Sequence, residues 1–330
     1  MEFFKFSLIA TLITVASGIV MWRFAENETT YSDLYNEGLA LYKKRQYHPA
    51  VKEFLSAIKK NPGRYQAYYN LGLSYLNIDK YDKAKESFLK AIELNPADID
   101  SVFNLGIIAL KNKEYEDSLN YFKKVIEANS EDSDAYFNIG YIKYEQNEFE
   151  EAKENIEKSI EISPEKTDYK MFFIKVLEKI TDMQIDEEAV VRLLEVCNEV
   201  LEIYPDDEEL VYKIAVTHAK NGDWEKSVRY CERIIAKNPN SARTYGQYGL
   251  ALYCKGEVNK AIEMYEKALK LNQNDPITLS NLAFAYDKIG DKESAMELLK
   301  MFIKTYPKHE MIDLVKDFLK RLTNPEEENA

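Results

Sequence analysis

An asparagine recurs every 34 residues through the first half of this 330-residue chain, as Asn36, Asn70, Asn104 and Asn138. Each follows an aromatic residue: Tyr35, Tyr69, Phe103 and Phe137. An asparagine amide carries both donor and acceptor, so one side chain can pair with a peptide N–H and C=O together. A row of such amides on one surface would hold an extended chain by its backbone, with little demand on its sequence. The aromatic neighbours would take its apolar side chains. This is binding chemistry, and no catalytic constellation accompanies it. His48, His218 and His309 are far apart in the chain. The carboxylate pairs Glu150-Glu151 and Asp206-Asp207 fall in predicted turns or helix starts, where solvation explains them. No phosphate-binding glycine loop and no CxxC or Cys/His metal spacing occurs. The chain is therefore expected to be no enzyme and to carry no cofactor and no metal.

The asparagines ride on a wider periodicity. Asn70-Leu71-Gly72 returns as Asn104-Leu105-Gly106 and Asn138-Ile139-Gly140, and Phe54, Phe88 and Phe122 keep the same spacing. Self-similarity at a fixed period marks a stacked array of supersecondary units. The register places repeats at 31–64, 65–98, 99–132, 133–166, 167–207, 208–241, 242–275 and 276–309. The eighth position is small where two helices approach: Gly38, Gly72, Gly106, Gly140, Ala215, Gly249 and Ala283. The twentieth is small for the same reason: Ala50, Ala84, Ser118, Ala152, Ser227, Ala261 and Ala295. Pro62, Pro96, Pro164, Pro205, Pro239 and Pro307 stop the second helix, lacking an N–H and clashing with the preceding turn. Ser130 and Gln273 replace that proline in the third and seventh repeats, which predicts looser turns there.

With this set of positions the chain resembles the tetratricopeptide repeat family over most of its length. The resemblance implies an all-α, right-handed superhelical solenoid of about eight helix-turn-helix repeats. It also implies that the first helix of each repeat lines a concave groove. Its second, fifth, sixth and ninth positions would face inward. On that basis Asn36, Asn70, Asn104 and Asn138 form a ladder similar to that of some peptide-binding members. Tyr35, Tyr69, Phe103 and Phe137 stand beside it, and Leu39, Leu73, Ile107 and Tyr141 beyond. The competing explanation is that Tyr-Asn-Leu-Gly is close to the bare family consensus. Asn281 recurs in the eighth repeat, but Lys213, Gly246 and Gln247 break the pattern in the second half. Asp100, Asp134, Asp168 and Glu209 at the second position would favour a basic ligand, or simply complement the helix dipole. The cations with which chaperone-binding members clamp a C-terminal carboxylate are missing: Tyr35, Leu39, Asp100 and Asn104 stand there.

The fifth repeat is longer by seven residues and carries Ile174 where glycine is expected. About two helical turns are thereby added, which predicts two longer helices with a turn near Ile180–Glu188. A solenoid needs polar caps. Residues 310–322 supply one, with Met311, Ile312, Val315, Phe318, Leu319 and Leu322 on one face. The acidic tail 323–330 is expected to be disordered.

Phe6–Trp22 carries no charge and is bracketed by Lys5 and Arg23. With Phe3 and Phe4 added and Lys5 snorkelling, it is long enough for a bilayer core of about 30 Å. Residues 1–24 thus read as a hydrophobic helix, a single-pass membrane anchor, with 25–30 as a short linker. A cleaved secretory signal, leaving a secreted protein, is the alternative. Lys5 and the terminal amine favour a cytoplasmic N-terminus, putting the repeats outside the cytoplasm, periplasmic in a bacterium. The formal net charge of −13 excludes nucleic acid as a main partner. Cys197 and Cys231 occupy equivalent core positions, too far apart for a disulfide, which needs Cα atoms within about 7 Å. The sequence thus describes a membrane-anchored scaffold or adaptor binding a basic or apolar extended segment of a partner protein. Self-assembly, and a non-catalytic subunit or assembly factor of an envelope complex, are the alternatives.

Overall fold

The computed structural model describes residues 29–183 and 186–323. Among the described residues there are seventeen helices and no strands. Contacts divide the chain into two units, meeting at Pro164 and Glu165. The first contains four helix pairs: α1 (Tyr31–Lys43) with α2 (Tyr47–Lys60), α3 (Tyr65–Leu76) with α4 (Tyr81–Leu94), α5 (Ile99–Lys111) with α6 (Tyr115–Ala128), and α7 (Ser133–Glu145) with α8 (Phe149–Ile162). The second contains α9 (Thr167–Met183) with α10 (Glu187–Ile203), α11 (Glu208–Lys220) with α12 (Trp224–Lys237), α13 (Ala242–Cys254) with α14 (Val258–Leu271), and α15 (Pro276–Lys288) with α16 (Lys292–Thr305). It ends with α17 (Ile312–Thr323).

The small eighth position closes each pair. A Cβ on Gly72 would lie 2.7 Å from the Phe88 ring, and one on Gly249 would lie 2.6 Å from Tyr265. The partner ring can fill the space only because the glycine leaves it. Phe54, Phe88 and Phe122 are completely buried. Seven of the eight pairs turn through one residue in the left-handed region, at a constant place in the repeat: Arg45, Asp79, Lys113 and Asn147 in the first unit, Gly222, Gly256 and Gly290 in the second.

The missing prolines do not loosen their turns. The residue closing the second helix is Asn61, Asn95, Asn129, Asn238 or Asn272 in five repeats. Asn129, before Ser130, has φ −142° and ψ 96°, against −144° and 95° for Asn61. In each case the side-chain oxygen accepts the N–H two residues on: Gly63 at 3.1 Å, Glu131 at 3.2 Å and Asn274 at 3.2 Å. This Asx turn supplies the local constraint that the proline was expected to provide.

The seven extra residues of the fifth repeat divide between its helices. Both α9 and α10 have 17 residues, against 13 and 14 in most other pairs. Ile174 is buried. At the far end, Val315 and Phe318 of α17 are buried against α15 and α16, with the Phe318 ring stacked on Phe284 at 4.5 Å. At the other end, α1 carries Asp33 and Glu37 where α3 buries Ala67 and Leu71. Asp33 and Glu37 thus make α1 polar where the next first helix is apolar. The proposed hydrophobic helix 1–24 and the acidic tail from Asn324 lie outside the described residues. No helix among the described residues is long and apolar enough to cross a membrane.

Candidate functional site

The first helices of the first unit carry the ladder on one face, and most of the ladder is already engaged. The Asn70 amide donates to the Gln66 carbonyl one turn back at 2.8 Å, and to the Tyr35 hydroxyl of the preceding repeat at 3.0 Å. Asn104 and Asn138 repeat the first bond, donating to the Asp100 and Asp134 carbonyls at 2.7 Å each. The Asn104 amide also lies beside the Tyr69 hydroxyl. A second tie runs beside the first, from the Asn77 amide to the Tyr42 hydroxyl at 3.1 Å. Asn36 is exposed. Asn70 and Asn104 thus reach the preceding repeat through their N–H groups, and the side-chain oxygens of Asn70, Asn104 and Asn138 have no partner among the described residues.

The aromatic row is likewise shared between core and surface. Tyr35 packs on Phe54 at 5.9 Å, Tyr69 on Phe88 at 6.0 Å, and Phe103 edge-on to Phe122 at 5.3 Å. Each keeps one face half-exposed. Burial pushes the Tyr69 hydroxyl up to about 12, with Asp100 and Asp98 adding to the shift. Phe137 and Asn138 meet Tyr141, Ile107, Leu110 and Tyr115 around an open groove of about 470 Å³.

On the matching face of the second unit, α9, α11 and the start of α13 carry charged pairs. Glu178 pairs with Lys213, Asp182 with Lys220, and Glu209 with Arg243 at 2.6 Å. The Arg243 guanidinium lies 4.5 Å from the centre of the Tyr212 ring. Lys213 thus stands where the first unit has asparagine, and Glu209 is neutralised locally. Asp100, Asp134 and Asp168 lie in the first turns of α5, α7 and α9, where a helix dipole favours an acid. The three histidines are dispersed. His48 is exposed on α2. His309 accepts the Met311 N–H at 3.2 Å. His218 is buried against Tyr230, with ring centres 5.6 Å apart. Burial holds the His218 imidazole below its ordinary range, against the opposing pull of Asp223. Cys197 and Cys231 are buried free thiols pushed up to about 12 by desolvation, and Cys254 is exposed.

Models described as the tetratricopeptide repeat match residues 65–98, 87–120, 133–166, 209–241 and 278–309, and a further TPR repeat model matches 249–290. The chain belongs to the tetratricopeptide repeat family. A TPR repeat-containing protein of Methanocaldococcus jannaschii is 29% identical over 113 residues, 34% of this chain and 20% of that one. A photosystem I assembly protein, Ycf3, of Synechococcus sp. (strain CC9605) is 29% identical over 82 residues, 24% of this chain and 47% of that one. The matched stretches thus span between a fifth and a half of these relatives. Among solved structures, Naa15/Naa10 bound to HypK-THB superposes with a TM-score of 0.55 at 14% identity, covering 86% of this chain and 43% of that one. That likeness concerns the fold of the repeats alone.

Sequence spacing located the tetratricopeptide face but missed its internal bonding. The signal for the staples was present: a tyrosine at the fifth position precedes an asparagine 35 residues later, as with Tyr35 and Asn70. It is readable only once neighbouring first helices are known to touch.

Proposed function

We propose that this tetratricopeptide chain is a non-catalytic scaffold that receives an extended segment of a partner protein on the first-helix face of its first unit. The observation that carries this reading is the free acceptor row. The amide oxygens of Asn70, Asn104 and Asn138 have no partner among the described residues, and Asn138 opens onto an aromatic-lined groove. In the second unit the ion-paired Lys213 takes the place of one of these amides, and only Gln247 and Asn281 stand at that position beyond it. The uncharged segment Phe6–Trp22 supports a membrane anchor, with the bracketing charges favouring extracytoplasmic repeats. The Ycf3 relative is named an assembly protein of a photosystem, and a role in assembling a membrane-bound complex suits an anchored interaction array. Secretion after signal cleavage and self-association are the rival readings.

The test is a capture experiment with the full chain in detergent, beside a variant in which Asn36, Asn70, Asn104 and Asn138 are all alanine. Circular dichroism first establishes that the variant is folded. Loss of a captured protein with the four amides supports the groove. Each hydrogen bond lost should cost about 0.5–1.5 kcal/mol, roughly 2- to 13-fold in affinity. Capture of the chain by itself alone would replace the scaffold reading with self-assembly.

A further inference from the structure

The ladder asparagines are not equivalent, and the difference traces to one oxygen atom on the preceding repeat. An amide NH₂ has two protons to donate. Asn70 spends one on its own helix and one on the Tyr35 hydroxyl. Asn104 donates one to its own helix and holds the other beside the Tyr69 hydroxyl. Asn138 bonds its own helix through the Asp134 carbonyl, but the residue 35 positions earlier is Phe103, which has no hydroxyl. Its second N–H has no partner among the described residues, and neither has its side-chain oxygen. Of the three half-buried amides, Asn138 alone can both donate to and accept from a ligand.

That amide opens onto the groove described above, beside Ile107, Leu110, Tyr115, Phe137 and Tyr141. Lys111 and Lys113 stand at the mouth, exposed and without a carboxylate partner among the described residues. Their neighbours differ: Lys85 faces Glu114 at 3.7 Å, and Lys143 bonds Glu151 at 2.7 Å and also Glu148. Glu145 is the single acid on the same rim. The net charge of −13 opposes an acidic ligand at long range. Screening over about 8 Å at physiological salt leaves the choice to the charges at the mouth.

Building on the peptide-receiving reading, the geometry points to Asn138 as the backbone clamp, and to a ligand of defined chemistry. The ligand is an extended peptide with an aromatic or branched aliphatic side chain and a carboxylate beside it. One residue of the extended peptide pairs with Asn138, its N–H to the side-chain oxygen and its C=O to the free N–H. The apolar side chain enters the groove, and the carboxylate meets Lys111 and Lys113.

Three fluorescein-labelled Gly/Ser decapeptides, with Asp-Phe, Ala-Phe or Lys-Phe at the centre, test this by fluorescence anisotropy against the full chain in detergent. The Asp-Phe peptide should bind tightest and the Lys-Phe peptide weakest. Asn138→Ala should weaken the Asp-Phe peptide by about 5- to 160-fold, the loss of two hydrogen bonds. Asn104→Ala should weaken it less. Phe103→Tyr restores the missing hydroxyl, which takes up the free N–H, and should weaken binding by about 2- to 13-fold, less than Asn138→Ala, while the thermal transition stays in place. Lys111→Glu with Lys113→Glu should invert the order of the Asp-Phe and Lys-Phe peptides. Equal binding of all three peptides, or equal loss with Asn104→Ala and Asn138→Ala, overturns this inference while the peptide-face reading stands. Failure of every peptide to saturate at millimolar chain overturns both.

Discussion

The two units solve one problem, joining neighbouring first helices across a 35-residue spacing, with different chemistry. In the first unit the Tyr35 hydroxyl accepts from Asn70, and in the second Glu178 pairs with Lys213. An ion pair consumes both partners' charge. A neutral amide bond consumes the donors and leaves the side-chain oxygen, since an asparagine has more hydrogen-bonding capacity than one staple uses. The same structural duty therefore leaves three neighbouring acceptors in the first unit, whereas the ion-paired Lys213 interrupts that row in the second. The units also differ in their turns. The left-handed residue is Arg45, Asp79, Lys113 or Asn147 in the first unit and always glycine in the three regular repeats of the second.

The largest expected effect separates the cores. Phe88 is completely buried against Gly72, whereas the corresponding residue in the sixth repeat is the smaller Cys231. Phe88→Ala should cost about 3–5 kcal/mol through lost transfer energy and a cavity, and Cys231→Ala should cost less. Trp224 lies in the second unit, so on a Trp22→Phe background its fluorescence follows that unit alone. In urea, Phe88→Ala should lower the circular-dichroism midpoint and leave the Trp224 midpoint in place. A joint shift of both midpoints would mean that the units unfold as one.

The turns come next. A non-glycine residue in the left-handed region costs roughly 1–2 kcal/mol, less for asparagine or aspartate. Arg45→Gly should therefore raise stability by about 1 kcal/mol, after the added freedom of the unfolded chain is counted. Gly256→Ala, with nothing near the new Cβ but φ at 84°, should lower stability by a similar amount. If Arg45→Gly destabilises the first unit, the positive φ is not a strain that the first unit carries.

Much of the architecture was legible because a solenoid repeats its constraints. Gly72 with Phe88, and Gly249 with Tyr265, announce a close approach wherever they recur, so helix pairs and their register follow from spacing alone. The turns do not follow from proline spacing. Asn129 and Asn272 close their helices through side-chain bonds that Ser130 and Gln273 do not disturb. The positive φ at Arg45 and Lys113 had no sequence signal, since neither residue is a left-handed type. At the candidate site, composition placed Asn70, Asn104 and Asn138 on one face. It did not show how many of their donors were spent, because that depends on which preceding aromatic carries a hydroxyl.

Salt sharpens the contrast between the staples. A double-mutant cycle of Glu178→Gln and Lys213→Gln should give a coupling of about 0.2–1 kcal/mol, fading in high salt, because both side chains are about three-tenths exposed. Tyr35→Phe removes a neutral bond of comparable size, and its cost should not change with salt. Equal salt dependence of the two would dissolve the distinction between an ionic and an amide face.

Acid should act on the second unit through His218. The first unit's histidine, His48, is exposed, whereas His218 is buried, stacked on Tyr230, and 3.7 Å from Asp223. Burial lowers its pKa in the folded chain, with Asp223 opposing and Lys226 adding to the shift. Above the unfolded value of about 6.5 both states are neutral and the residue contributes no pH dependence. As the pH falls through about 6.5, the unfolded chain takes the proton first, so stability declines until the folded imidazole is protonated as well. Trp224 fluorescence in urea at about pH 7.5 and pH 5.5, on either side of that value, should show a loss of stability that narrows in His218→Phe, which keeps the stacking and removes the titrating group. If the loss is identical in the variant, the pull of Asp223 offsets the burial of the ring.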